Sequence, residues 1–409
     1  MSPISFRVVR TGCLFAAVLL LAGGLVVSSS AAQAGEGWQE HTIRVGDGNG
    51  GWVTRPASRQ ALKAPGSDMT MPFGIVRMQS GELAILCSDE KRQKYTRPVI
   101  AFSREEGTTW SDFQIIAETT ERPMNLTDLG KGRLSFVTDR RFFSNDAGRT
   151  WTESAPNPLT STGMTFNLEG NAWVDRHDDG TAKAILELGW HYEPGKKHPV
   201  DDATVVFRRS VDGGKTWIDE VTPPQWKYDV EHNGKTFRRG VSEGALVRAA
   251  NGHLVAALRT DMPPHFFDGP NDDSLEGTAM SISKDDGKTW SDMQHLYSAG
   301  RHHANLQRLP GGAIVCTLVV RDDIHDGKLV SHRRGCDALV SHDHGESWNL
   351  DRRYELDSYD FLREDGYWVD GMSGHVGAAA LEDGSVISAY GHYIPGVAVL
   401  IKWKPDEAP

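Results

Sequence analysis

The chain is short of cysteine, of basic charge and of long apolar runs, and each shortage argues against a class of function. Four cysteines occur in 409 residues, and Cys13 lies in the N-terminal segment. The others, Cys87, Cys316 and Cys336, are an odd number without metal-ligand spacing, which gives neither a disulfide framework nor a local zinc motif. Cys87 and Cys316 fall inside apolar strands, where a buried free thiol is the expectation. No cofactor motif is present, and no cofactor is expected. Lys and Arg number 44 against 55 Asp and Glu. An acidic chain without basic stripes is a poor partner for nucleic acid or anionic membranes, although a local arginine cluster can still serve an acidic sugar.

The apolar run Cys13–Val27 is short for a membrane span. Arg7 and Arg10 precede it and Ala32-Gln33-Ala34 follows, so residues 1–34 read as a secretory signal, with a membrane anchor as the alternative. Cys13 opens the apolar run rather than following it, which argues against a lipid anchor. Losing Arg7 and Arg10 from the 44 leaves 42 basic against 55 acidic side chains, a net charge of −13. Residues 35–409 are expected to form one secreted or periplasmic domain, monomeric and free of the membrane once the signal is removed.

What the chain does have is a repeat. A polar turn recurs at Ser103–Trp110, Ser144–Trp151, Ser210–Trp217, Ser283–Trp290 and Ser341–Trp348, each with Ser, an acid, Gly and Trp at fixed offsets. Such a turn is bonded by its own side chains and needs a residue at positive φ. Apolar runs flank a small polar turn at Gly81, Gly132, Gly180, Gly252, Gly312 and Gly384, at intervals of 48 to 72 residues. Alternating runs across turns such as Asn251-Gly252 are hairpins. One hairpin per repeat of this length reads as one propeller blade. The fold class expected is all-β, a six-bladed β-propeller, closed by Val397–Lys404 with an N-terminal strand near His41–Val45.

These turns resemble the Asp boxes of the sialidase (neuraminidase) superfamily, and the resemblance covers nearly all of residues 35–409. It implies a six-bladed propeller and a glycoside hydrolase, although non-enzymatic propellers carry the same turn. Ser242-Glu243-Gly244, with Arg259 sixteen residues on, matches the family's Glu and a substrate-binding Arg. Arg333 (or Arg334), just ahead of the fifth turn, matches another. The pattern departs at three places. Thr70 stands where the family has its first Arg, which removes a charge-assisted contact worth on the order of 1.5–3 kcal/mol. His375 stands at the nucleophilic Tyr. Gln93–Tyr95 falls at the acid/base Asp, with Asp89 and Glu90 a few residues early.

The residues themselves point to one mouth of the channel. Nine positions before the hairpin glycines lie Pro72, Pro123, Glu243, His303 and His375, and a longer third hairpin brings Glu169 level. The second strands return Asp89, Asp139-Arg140 and Arg259 to the same face. Titratable groups converging on a cavity make it the expected site. Glycoside hydrolysis needs two carboxyl groups. Glu243 supplies one, and Asp89, Glu169 and Asp370 stay open as the other. His375 acts as acid/base or orients Glu243, while Arg259, Arg333, His303 and Glu169 hold the sugar. Trp190, His191 and Tyr192, with Tyr367 and Trp368, are either rim decoration or walls of a sugar site. Two further uses of the residues remain. A lyase would set His303 and His375 against a uronate held by Arg259, and Glu243, His303 and His375 offer two imidazoles and a carboxylate to a metal. The expectation is an exo-acting hydrolase of a terminal, acidic sugar, with a uronate lyase or a non-catalytic glycan-binding propeller as alternatives.

Overall fold

A computed structural model describes residues 37–91, 95–117, 119, 121–192, 203–263, 266, 275–325, 328–361 and 373–407. The signal segment, Gln93, Tyr367, Trp368 and Asp370 lie outside the described residues. The fold is all-β, with its sheets in a propeller-like arrangement. Four four-stranded antiparallel meanders follow the chain. Their first strands are Met69–Arg77, Met124–Gly130, Trp173–Arg176 and Ser242–Arg248. A nine-stranded sheet then runs from Arg301–Arg308 to Ser373–Ala380. These inner strands neighbour one another in chain order, and Ser373–Ala380 returns to Met69–Arg77. Only short 3-10 turns, such as Pro224–Trp226 and Leu350–Arg352, interrupt the strands among the described residues, and no helix among them is long and apolar enough to cross a membrane.

The core lies between adjacent sheets because each strand buries alternate residues against the next meander. Val247, Val255 and Ala257 pack on Leu306, Cys316 and Leu318 of the following sheet. Cys87, Cys316 and Cys336 are free and buried.

The five polar turns share one hydrogen-bond pattern. In each, the Ser Oγ accepts from the backbone N–H of the Gly four residues on, at 2.8 Å. In four of them the Asp carboxylate accepts from a Thr or Ser hydroxyl at 2.6 Å. The glycine must be a glycine. In the fourth turn Gly287 has φ +90°, and a Cβ there would lie 2.4 Å from the Phe207 ring.

Closure differs in detail from the sequence expectation. Gln39–Gly46, which contains His41–Val45, pairs with Tyr354–Asp360 rather than with the C-terminal strand. Trp52–Leu62 is the strand that meets Val397–Trp403. The stretch Pro223–Arg239 holds a 3-10 turn and the hairpin Tyr228–His232/Lys235–Arg239.

Candidate active site

Five of the six inner strands lose register near their heads, and Trp173–Arg176 does so only at its end. The shifts fall between Pro72 and Gly74, Met124 and Thr127, Ser242 and Ala245, His302 and Asn305, and Gly374 and Val376. A bulge re-aims one side chain out of the pleat. The bulged residues Asn125, Glu243, His303 and His375 have φ of 54°, 46°, 48° and 38°. Non-glycine residues held there store strain, typically about 1–3 kcal/mol each, and such strain gathers at functional sites. The count of nine thus lands on the bulged residue at Glu243, His303 and His375, but falls one short in the first sheet, where Phe73 rather than Pro72 is unpaired. The second hairpin has a two-residue turn, with Gly130 paired to Arg133, so its bulged residue is Asn125 rather than Pro123.

Glu243, His303 and His375 meet. His303 Nδ1 lies 3.1 Å from Glu243 Oε2, and the His303 and His375 rings are 4.5 Å apart. Phe73 from the first inner strand covers His375 at 4.3 Å. His302, unforeseen as a participant, packs 4.2 Å from His303 and sets Nε2 2.7 Å from Glu276 Oε2. Burial holds all three imidazoles neutral, well below the usual histidine range. For His303 and His375 the neighbouring imidazole adds to this, and for His302 the Arg321 charge does.

Arg259 arrives from the second strand of the fourth sheet, where strand pairing sets it opposite Ser242. Its guanidinium is held by three carboxylates. It donates to Glu243 Oε1 and to Asp261 at 2.9 and 3.2 Å, and it sits 2.6 Å from Glu276 Oε1. Burial opposes the Glu243 carboxylate, but Arg259 and His302 outweigh it and its pKa is lowered. Glu169 goes the other way. Burial, and then the charge and hydrogen bonding of Glu243, raise its carboxyl well above the usual range. Asp261 is pushed up to about 7 and Glu276 is raised, both chiefly by burial. A cavity of about 280 Å³ continues along the axis past Glu169 and Asn125. Asn171 crosses that channel, donating to the Leu246 and Leu306 carbonyls at 2.9 and 3.1 Å.

Two expected residues are placed elsewhere. Asp89 faces away and accepts from Arg97 at 2.5 Å, because side chains alternate along a strand. Glu90, one residue on, accepts from Arg122 at 3.1 Å, and the Arg122 charge acts on His375. Arg333 is committed to Asp323 at 3.0 Å and Asp337 at 2.7 Å. Tyr192 belongs to the site, since Arg259, Glu243, Asp261 and Glu169 all act on its hydroxyl, which burial pushes up to about 12. Trp190 backs it edge-on at 5.1 Å.

The missed groups had a signal. Nine residues after the hairpin glycines stand Glu90, Asp261, Arg321 and Tyr393, the mirror of the count that found the bulges. Arg321 and Arg122 both act on Tyr393 and His375. Glu276 pairs with Asp261 across the neighbouring strand, a contact without local sequence signature.

No family model matches the chain, and no curated protein does. Among solved structures, a protein of unknown function from Dyadobacter fermentans aligns at 15% identity and TM-score 0.55, over 83% of this chain and 97% of that one. A Trypanosoma rangeli sialidase in complex with sialic acid aligns at 15% identity and TM-score 0.48, over 84% of this chain and 58% of the sialidase. An endo-arabinase from Bacteroides thetaiotaomicron gives 14% and 0.42, over 64% and 96%. At such identities the likeness is one of fold, and chemistry has to be read from the side chains at the mouth of this chain's own channel.

Proposed function

We propose that the chain is a secreted, sialidase-like, six-bladed propeller with five Asp-box turns, and that it hydrolyses a terminal acidic sugar from glycans. In this count the nine-stranded sheet is two blades joined through the N-terminal hairpin. The observation that carries the reading is the pair Glu169 and Glu243. Neighbouring carboxyl groups with oppositely shifted pKa values divide into a proton donor and an ionised partner. Glu169, kept protonated by burial and by Glu243, donates to the leaving oxygen. Glu243, kept ionised by Arg259 against burial, faces the anomeric centre as base or charge stabiliser. Arg259 thereby serves Glu243, and the sugar's anionic group falls to Arg122 and Arg321, beside Tyr393 and His375. Tyr192 walls the mouth.

The test is incubation of the purified 35–409 protein with oligosaccharides ending in sialic or uronic acid, measuring released monosaccharide. Glu169→Gln and Glu243→Gln should each lower kcat/KM by about 10²–10⁴-fold with unchanged thermal unfolding. Full activity in either variant removes that assignment. A uronate lyase is the second reading, favoured by the neutral imidazoles of His303 and His375 facing Arg122 and Arg321. It would yield an unsaturated uronate in place of a hydrolysed sugar, with activity lost in His375→Ala.

A further inference from the structure

We infer that Glu243, His302 and His303 form a binding site for a divalent first-row transition metal. One donor atom from each lies within 4.8 Å of the other two. The His303 Nδ1 to Glu243 Oε2 separation of 3.1 Å is close to the about 3.3 Å between donors of a tetrahedral centre with bonds near 2.0–2.1 Å. Two imidazoles and one carboxylate are a donor set for zinc, iron or copper rather than for calcium or magnesium.

His302 supplies the second, independent observation. It is 1% exposed, and its Nδ1 is buried without a hydrogen-bond partner. Its Nε2 is 2.7 Å from Glu276 Oε2, and both of those atoms are likewise buried without a hydrogen bond. A buried imidazole with a carboxylate beside one nitrogen and neither nitrogen hydrogen-bonded has room for a metal on one side and a supporting carboxylate on the other. A buried nitrogen left without a partner is otherwise a net cost to the fold. Glu243 Oε2 is likewise buried with no hydrogen bond.

Glu243, Asp261 and Glu276 all bear on Arg259, three carboxyl groups to one guanidinium, and Arg321 is a second cation facing the imidazoles. His375, tilted against the His303 ring at 4.5 Å, borders the site.

The inference shares residues with the hydrolase reading but does not need turnover, so the two fail separately. The mature protein is stripped with a chelator and titrated with zinc by calorimetry, and with cobalt by visible absorption. One equivalent per chain is expected, with ligand-field bands of imidazole-bound cobalt. His302→Gln and His303→Gln should each abolish saturable uptake. Glu276→Gln should weaken it about 10–100-fold at unchanged stoichiometry, and His253→Gln, at an exposed hairpin turn, should leave it intact. Thermal unfolding of the stripped variants reports whether they fold, and His302→Ala and His303→Ala repeat the test should either Gln variant not. No saturable uptake by the parent, equal uptake by the His302 and His303 variants, or preference for calcium over zinc would overturn the site.

Discussion

Two arginine–carboxylate clusters on neighbouring sheets differ in arithmetic. Around Asp337, two guanidiniums meet two carboxylates, and Glu355, 3.9 Å from Arg333, has its own arginines in Arg44 and Arg353. Arg301 and Arg333 both hold Asp337, at 2.9 and 2.7 Å, and both hold Asp323. Although burial opposes their charge, both aspartates are lowered by these arginines. Around Arg259, one guanidinium meets three carboxylates, and Asp261 rises to about 7. A balanced cluster is a brace whose charges are settled at neutral pH. An unbalanced one keeps a proton in play, and that is the property chemistry uses. Residue types alone do not separate the two, which is why Arg333 reads as a substrate ligand in the sequence and as a brace in the fold.

The largest effect that would break this comparison is expected at the brace. Asp337→Asn leaves Arg301 and Arg333 buried around one remaining Asp, and should cost about 3–5 kcal/mol in denaturant unfolding. A cost below about 1 kcal/mol would mean the cluster is not structural. A smaller effect, in the pH dependence, sharpens the contrast. The folded-state value of Asp261, about 7, lies above its ordinary 3.8, so across that window the folded protein holds the extra proton and this group's contribution to stability falls as pH rises. Removing it in Asp261→Asn should therefore make the variant's Tm gain on the parent's between pH 4 and 7. A difference that stays flat or shrinks would refute the imbalance. Asp323 and Asp337 behave oppositely, their contribution being present above the unfolded value and lost as pH falls through the folded one. The smallest effect is the outside reference. Glu382 is 79% exposed and, among the described residues, pairs with Arg77 at 2.7 Å, so Glu382→Gln should change stability by less than about 0.5 kcal/mol. A larger loss would show that solvent screening is misjudged for both clusters.

Much of the site was legible because the fold repeats. A fixed count from each hairpin glycine reached Glu243, His303 and His375, since pleat and bulge recur at the same depth in each sheet. Parity was the first thing lost. Asp89 and Glu90 are adjacent in sequence, and only pairing with a neighbour decides which one faces the axis. Lateral contacts were the second. Glu276 reaches His302 and Arg259 from a third strand, and Arg122 reaches Glu90 from another sheet, neither with any local pattern. The partners that decide charge balance come from across the ring, so protonation was the least readable property of all.

The N-terminal hairpin has a consequence for how the molecule comes into being. His41 Nε2 bonds the Leu356 carbonyl, 315 residues away in sequence, and Trp52–Leu62 takes its partner from Val397–Trp403. A chain made amino end first exposes these two strands before either partner has been synthesised. Ring closure is thus expected late in folding and slow, since contacts of such long range carry the full entropy of loop closure. Until it happens the first and last sheets present open edges, and the newly made protein is at its most vulnerable to association with its own copies.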